Sequence, residues 1–347
     1  LETYYEIKPG LLLKSAIALG FFDGVHLGHQ VVIGNAVKEA RRLGLTPGVV
    51  TFRDHPRTLT QGIAPLLLTV IEQRLALFQE LGVEAALVLS FNEELCQLSP
   101  EEYVENVLVK SMGAKFISVG YNHHFGKDRG GSPALLSILG KEFDFSVRVA
   151  ETVYCDDMEV SSSKIRDNLT SRNLPLVTRL LSRPYALYGQ VIRGQGQGRK
   201  LGFPTANLSV YEFQLVPPPG VYVGTASVEG ALNLPAVINV GYRPTFTDTN
   251  PISVLMPTEH IAESDRNQKK NSILTVEAHI LDFGDNLYDK HLNLSFHAYL
   301  RPEQKFPSIE ALRTQIERDC HAAGKWLIAN QDDKVSKGRQ NERAHLA

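Results

Sequence analysis

From Ser15 to Gly44 the chain reads SAIALGFFDGVHLGHQVVIGNAVKEARRLG. Ser15 to Phe22 is a short apolar run of strand length that ends at Asp23-Gly24. Beyond that corner the period changes. Val32, Ile33, Ala36, Val37 and Ala40 share one helical face, and the pattern stops at Leu43-Gly44. A strand that turns directly into an amphipathic helix is half of a parallel β-α-β unit.

The same rhythm continues outward. Val49 to Phe52, Ala85 to Phe91 and Phe116 to Val119 read as strands, while Gln73 to Leu81 and Pro133 to Leu139 read as helices. Ser99-Pro100-Glu101-Glu102 supplies an N-cap, a proline at the first helical position and a capping-box glutamate. Residues up to about Arg183 are therefore expected to form a parallel sheet covered by helices, with ligands beyond the carboxyl ends of its strands. After Pro184 the pattern differs. Ala186 to Arg193, Gly220 to Val228, Ala236 to Val240, Leu274 to Leu281 and Leu292 to Tyr299 read as strands, separated by Gly, Pro and Asn clusters without a helical pattern. That spacing predicts a small antiparallel barrel or sandwich. One helix, from Ile309 to about Ile328 with Ser308 as N-cap, is expected to close it. Asp248 to Asn271 reads as a long polar surface loop, and Gln331 to Ala347 as an aperiodic charged tail.

A chain of 347 residues fits two domains better than one. Lys and Arg number 36 against 38 Asp and Glu, a net charge of -2 that provides no basic field for a nucleic-acid backbone. Small anions need only a few placed groups and stay open. Cys96, Cys155 and Cys320 stand far apart with no Cys-x-x-Cys, which argues against a disulfide framework or a zinc motif. No apolar run reaches the ~20 residues of a membrane span. The expectation is a cytoplasmic protein acting on small molecules, with neither nucleic acid nor membrane as partner.

Four clusters carry chemistry. Gly24-Val25-His26-Leu27-Gly28-His29 opens a helix directly after a strand, so two imidazoles share a face with free N–H groups. Such a corner suits nucleotide phosphates, although two histidines alone fit a solvated turn or a weak metal pair equally well. Ser161-Ser162-Ser163-Lys164-Ile165-Arg166 is a second helix start, where hydroxyls and a cation one turn later can clamp a di- or triphosphate; alone, an ordinary cap explains it. Both are expected at strand-to-helix corners of one sheet. The glycine-rich stretch Gly194 to Asn207 is neither a dinucleotide fingerprint nor a P-loop: its spacing is G-x-G-x-G, Pro204 forbids the helix that should follow, and Gly198 precedes Arg199. Finally, Glu277 and His279 share one face of a strand whose other face is Val276, Ala278 and Ile280.

Together these strings resemble a known family. His26-x-Gly28-His29 with Ser162 to Arg166 is similar to the paired signatures of the nucleotidylyltransferase superfamily. Phe22 to His29 resembles the FMN adenylyltransferase half of bacterial bifunctional riboflavin kinase/FAD synthetases. Thr51-Phe52, His55-Pro56-Arg57 and Gly120 to Gly126 match further landmarks of that half. Gly194 to Asn207 is similar to the phosphate loop and Pro-Thr-Ala-Asn motif of riboflavin kinases. Gly220-Val221-Tyr222, Asn239-Val240-Gly241, Arg243-Pro244-Thr245-Phe246 and Leu300-Arg301-Pro302-Glu303 follow in the kinase order. The likeness spans about Ala16 to Lys325. It departs at Phe21, where the family usually has Asn, at Arg74 for a common lysine, at Asn122-His123 for Asp-Phe, and at Asp289 for glycine.

The resemblance implies an α/β plus β chain: a nucleotidylyltransferase-like, Rossmann-like parallel sheet over residues 1–183, a riboflavin-kinase-type antiparallel barrel with closing helix over 184–330, and a flexible tail over 331–347. It implies FMN synthesis from riboflavin and ATP, then FAD and pyrophosphate from FMN and ATP. Catalytic roles fall to Glu277, the base on the ribityl hydroxyl, and to His26, His29 and Arg166. Phosphate binding falls to Gly24, Gly28, Ser162, Ser163, Lys164, Gly194, Gly196, Gly198, Gly202, Pro204, Thr205 and Asn207. Flavin contacts fall to Asn122 and Arg301, and magnesium to Thr205 and Asn207. Substrates ATP, riboflavin and FMN are the implied partners, with transient self-association or apo-flavoprotein acceptors beside them. Two rivals stand: a kinase whose first half has lost adenylyl transfer, and a non-catalytic flavin- or nucleotide-binding module.

Overall fold

The computed structural model describes residues 1–54, 64–194, 196–244 and 272–344. Two compact units emerge: residues 1–166 with 179–182, and residues 167–178 with 183–347. The insert over 248–271, His55-Pro56-Arg57, Gln195 and Thr245-Phe246 lie outside the described residues.

The first unit is a six-stranded parallel sheet in the order β1-β4-β3-β2-β5-β6. Its strands are β1 (Glu2–Tyr4), β2 (Ser15–Leu19), β3 (Thr46–Phe52), β4 (Ala85–Leu89), β5 (Ala114–Gly120) and β6 (Ser146–Ala150). β2 is central and buried throughout. Ile17 and Leu19 pack with Val104, Leu108 and Leu136 on one side. Ala18 and Val49 pack against Ile33, Ala36 and Val37 of helix α1 (Leu27–Leu43) on the other. Both faces are covered, as the continuous apolar runs require. The chain runs from β2 outward through β3 and β4, then returns to place β5 on the opposite flank of β2. That reversal puts the crevice beyond the carboxyl ends of β2 and β5. Helix α2 (Ile71–Glu80) follows the expected pattern closely. The Ser99 capping box forms, with Glu102 accepting from Ser99 N at 2.8 Å, and the helix it opens continues as a π-helix over Val104–Ser111.

One expectation is corrected here. The corner at Ser161 does not leave the main sheet. It follows a separate two-stranded hairpin, β7 (Tyr154–Cys155) and β8 (Met158–Glu159), before helix α3 (Ser162–Thr170).

The second unit is a closed antiparallel barrel in the order β10-β13-β12-β11-β14-β9. Its strands are β9 (Tyr185–Ile192), β10 (Ala206–Val210), β11 (Gly220–Val228), β12 (Ala231–Pro244), β13 (Ser272–Ile280) and β14 (His291–Arg301). β10 was not expected as a strand. Tyr222 and Phe296 fill the interior edge-to-face at 5.3 Å. Val221, Val223 and Val237 point outward and are buried under Ala323 and Leu327 of the closing helix α4 (Ile309–Ala344). Trp326, the single tryptophan, lies in this seam with its ring 5.6 Å from that of His297. Ser308 caps the helix as expected, accepting from Ala311 N at 3.1 Å.

Two further readings are corrected. α4 does not stop near Ile328: its backbone continues through 331–344, the stretch read as an aperiodic tail. Gln, Lys, Arg and Ala are strong helix formers, and no proline interrupts them. The second half also carries a short helix over Gln197–Leu201, inside the glycine-rich stretch and ahead of Pro204. Gly196 (φ 66°) and Gly202 (φ 88°), both left-handed, bound it.

Candidate active sites

In the first unit, Leu19 is the last residue of β2 and the chain then climbs over the sheet. Phe22 (φ 58°), Gly24 (φ 86°) and Val25 (φ 41°) take left-handed conformations. Such a backbone persists only where its surroundings fix it. Asp23 does much of the fixing. It is 2% exposed and accepts from Leu68 N at 2.9 Å and Thr69 N at 3.0 Å, while Gly24 N donates to Thr69 Oγ1 at 2.8 Å. Burial pushes the Asp23 carboxyl up, opposed by the guanidinium of Arg166 and by the two backbone donors. Arg166 pairs with Asp23 and donates through Nε to Leu66 O at 2.7 Å. Ser162 Oγ donates to Asp23 O at 2.9 Å. The two sequence clusters are thus joined through Asp23.

His26 is the N-cap of α1, and its Nδ1 accepts from His29 N at 3.4 Å. An Nδ1 that accepts leaves the neutral imidazole its proton on Nε2. The two rings stack with centroids 3.6 Å apart, and Phe22 meets His29 edge-on at 5.4 Å. Gly28 gives this stack room, since a Cβ there would lie 3.2 Å from the His26 ring and press on it. His29, Asn122, Ser162, Ser163 and Arg166 line one cavity of about 420 Å³, together with Phe21. His26, Gly24, Gly28 and Lys164 are not on its wall. Arg166 and Arg129 give the cavity walls two cations against Asp23. That surplus, at a helix N-terminus, favours anions.

Sequence reasoning missed three residues here. Arg74 is fully buried and donates to the carbonyls of Phe21 (2.9 Å), Phe52 (2.8 Å) and Arg53 (2.7 Å). Its signal was a cation at a core position, between Ile71 and Phe78 on the buried face of α2. Asp23 lay within the motif without a role. His123 is held against Phe125, with ring centroids 6.1 Å apart, and burial brings its pKa down to about 4, so it is neutral at physiological pH.

In the second unit the glycine-rich stretch wraps onto β10. A Cβ on Gly194 would lie 2.3 Å from the Asn207 amide nitrogen, and one on Gly198 would lie 2.4 Å from Phe203 O. Gly198 must therefore be glycine, while a side chain at Gly194 would displace the Asn207 amide. Pro204 O contacts His279 Nδ1 at 2.8 Å. On the barrel exterior, Glu277 is in register with Asn207 on one neighbouring strand and Asn239 on the other. Three polar side chains form a row across β10, β13 and β12. Val276, Ala278 and Ile280 are buried on the opposite face, as the alternation predicts. Thr205 Oγ1 donates to Glu277 Oε2 at 3.4 Å.

Two cavities lie near this row, one on its own face and one that reaches Ala278 and Ile280 of the opposite face. One, of about 410 Å³, lies between the barrel exterior and α4 and includes Thr205, Asn239, Glu277, Arg301, Leu312 and Ile316. The other, about 450 Å³, includes Gly196, Arg199, Pro204 and Thr205. Thr205 borders both. Arg301 forms a two-pronged pair with buried Asp319, at 3.0 and 2.7 Å. Glu303, also missed as a site residue, borders the first cavity. Burial pushes its carboxyl up, against bonds from Tyr242 N and the Asn239 side chain.

Among the described residues no three His, Cys, Asp or Glu side chains gather to hold a metal ion. Magnesium does not require such a cluster. Thr205 and Asn207 present a hydroxyl and an amide oxygen on one side of the strand, beside the Glu277 carboxylate. This hard-oxygen set fits magnesium shared with phosphate oxygens.

Comparisons with known proteins divide the chain in the same way. A family model described as FAD synthetase matches residues 10–164, and one described as riboflavin kinase matches residues 181–327. The bifunctional riboflavin kinase/FMN adenylyltransferase of Pseudomonas fluorescens is 37% identical over 306 residues, 88% of this chain and 90% of its own. The protein of the same description from Bacillus subtilis (strain 168) is 33% identical over 336 residues, 94% and 98% of the two chains. A crystal structure of a macrolide-efflux protein from Streptococcus pneumoniae superposes with a TM-score of 0.77 at 26% identity, covering 94% of this chain and all 100% of that one. Among the described residues no helix is long and apolar enough to cross a membrane.

Proposed function

Since the chain belongs to the family of bifunctional riboflavin kinase/FMN adenylyltransferases, we propose how its residues divide the two reactions between residues 1–183 and 184–330. The enzyme phosphorylates riboflavin with ATP to FMN and ADP, and then transfers AMP from a second ATP to FMN, giving FAD and pyrophosphate.

One observation carries the assignment of the first step. Thr205 borders both cavities of the barrel unit, and its hydroxyl donates to Glu277. A phosphoryl donor and an acceptor alcohol that fill these cavities meet at that residue. ATP lies along Gly196 and Arg199, with its phosphates against the glycine-rich stretch. Riboflavin lies between the barrel and α4, where Arg301 borders its ring. Glu277 takes the proton of the ribityl 5′-hydroxyl as its oxygen attacks the γ-phosphorus and ADP leaves. Thr205 and Asn207 would hold Mg2+, which when bound would neutralise phosphate charge. Gly194, Gly198, Gly202 and Pro204 shape the backbone that approaches the phosphates.

In the sheet unit, the FMN phosphate attacks the α-phosphorus of ATP in line and pyrophosphate leaves, so catalysis is positioning and charge stabilisation. His29 donates to the transferred phosphate, and His26, stacked behind it, fixes its ring. Ser162, Ser163 and the α3 N-terminus receive pyrophosphate, with Lys164 near the exit and Arg166 holding the loop through Asp23. Gly24 and Gly28 keep the corner open, and Asn122 meets the flavin. We place the enzyme in the cytoplasm, in keeping with its three unpaired cysteines. Apo-flavoproteins, and transient copies of the chain itself, are its proposed partners beyond the substrates.

The test is chromatographic separation of riboflavin, FMN and FAD after incubation with ATP and Mg2+. His29→Ala should abolish FAD formation and spare FMN formation, and Glu277→Gln should do the reverse when FMN is supplied. Equal loss of both activities in either variant would refute the two-site assignment.

A further inference from the structure

This inference rests on the adenylyl-transfer reading of the first unit and concerns what holds the ring of its substrate. The cavity of that unit is lined by two kinds of side chain. His29, Ser162, Ser163 and Arg166 are polar and suited to phosphates, while Phe21, Phe52 and Pro65 offer apolar surface. A nucleotide, with its phosphates and its ring, needs both kinds.

Phe21 is held with unusual firmness for a loop residue. Its carbonyl accepts from Arg74 at 2.9 Å and from Thr51 Oγ1 at 3.0 Å. The guanidinium carbon of Arg74 lies 4.7 Å from the centroid of the Phe21 ring, within cation–π range. Arg74 is itself immobile: it is fully buried, and its other bonds reach Phe52 O and Arg53 O at the end of β3. One planar fork therefore gathers the ends of β2 and β3 and supports an aromatic ring at the cavity wall. A ring fixed before binding loses little freedom on contact. A solvated polar side chain on the same backbone would offer no such face.

We propose that Phe21, supported by Arg74, is the platform on which the planar ring of a substrate nucleotide stacks, either the purine of ATP or the isoalloxazine of FMN. Arg74 is a positioning residue that acts through Phe21. Stacking of a base on an aromatic side chain corresponds to about 5- to 150-fold in binding, and this is the size of effect expected on a Michaelis constant.

The experiment measures FMN-to-FAD kinetics in the full chain, with riboflavin phosphorylation in the same preparation as the control for intact protein. Phe21→Leu should raise KM for one substrate by about 5- to 150-fold with kcat within about threefold. Phe21→Tyr, which keeps a ring, should retain wild-type values. A rise in KM for ATP identifies the purine and a rise in KM for FMN the isoalloxazine, and either supports the platform. A fall in kcat with both KM values unchanged overturns it, because Phe21 would then only cover Arg74. Should Phe21→Leu fail to fold, Phe21→Trp decides: its wider face should lower the same KM, and an unchanged KM overturns the proposal. Wild-type protein that forms no FAD from supplied FMN would refute the adenylyl-transfer reading itself. Wild-type activity with flat KM values refutes the platform alone.

Discussion

Replacing Gly198 with alanine tests whether the glycine-rich stretch works by close approach or by flexibility. The new Cβ would lie 2.4 Å from Phe203 O and 3.2 Å from Thr205 Oγ1. An ordinary carbon–oxygen contact is about 3.3 Å, so the backbone must yield by roughly 0.9 Å. Phe203 O cannot retreat freely. Phe203 N donates to Gly198 O at 2.9 Å, and the next residue, Pro204, has a fixed φ and a carbonyl engaged by His279. The displacement therefore passes to Thr205, the residue shared by the two barrel cavities. A misplacement of about 1 Å costs on the order of 100-fold in rate, and the overpacking should destabilise the barrel by about 1–3 kcal/mol. Expected is a ~100-fold fall in kcat for FMN formation, with FAD formation from supplied FMN unchanged. Both rates are read from the same chromatogram, with a thermal melt alongside. FMN formation within about threefold of wild type would refute the reasoning, since the stretch could then absorb a side chain without moving Thr205.

Two more expectations follow from buried groups of the sheet unit. Asp23→Asn removes the charge facing Arg166 and turns an amide towards the Leu68 and Thr69 donors. Arg166 is only partly buried and keeps its bond to Leu66 O, so the loss is that of a buried acceptor's bonds, about 1–3 kcal/mol in urea unfolding, together with collapse of FAD formation; a loss below about 0.5 kcal/mol would contradict the role given to Asp23. His123 ties stability to acid. Its native pKa of about 4 lies below the ordinary value of 6.5. Between those pH values the unfolded chain binds a proton that the native chain does not, so stability is full above pH 6.5 and falls as pH drops towards 4. His123→Phe should remove about 2 kcal/mol of the loss between pH 7.5 and 5.0. Identical acid slopes in urea titrations of the two proteins would exclude His123 as the cause.

The parts of this molecule that follow a period were legible in the sequence. The β2 corner and α1 stand where the apolar run and the helical face put them, and Glu277 shares its face with His279 opposite three buried aliphatics. The Ser99 and Ser308 caps form through the side chains expected of them. Residues whose role depends on distant partners were not legible. Asp23 acquires its meaning from Thr69 and Arg166, 46 and 143 residues away. Arg74 stands out in the sequence only as a replacement for a common lysine, and its role appears once its three carbonyl acceptors are known. β10 begins inside a proline-bearing motif, and only its pairing with β9 and β13 makes it a strand. Gln197–Leu201 lies between glycines, where propensity argues against any helix.

The seam between α4 and the barrel has an optical consequence. The chain carries a single indole, Trp326, and it is packed there beside His297. Asp319, seven residues earlier on the same helix, borders the cavity assigned to riboflavin, which places the indole roughly 10 Å further along the helix axis. Flavins absorb where tryptophan emits, so excitation of Trp326 drains into a flavin held in that cavity. The barrel thus contains its own fluorescent gauge, one that dims as the site fills and shifts colour when the helix peels away.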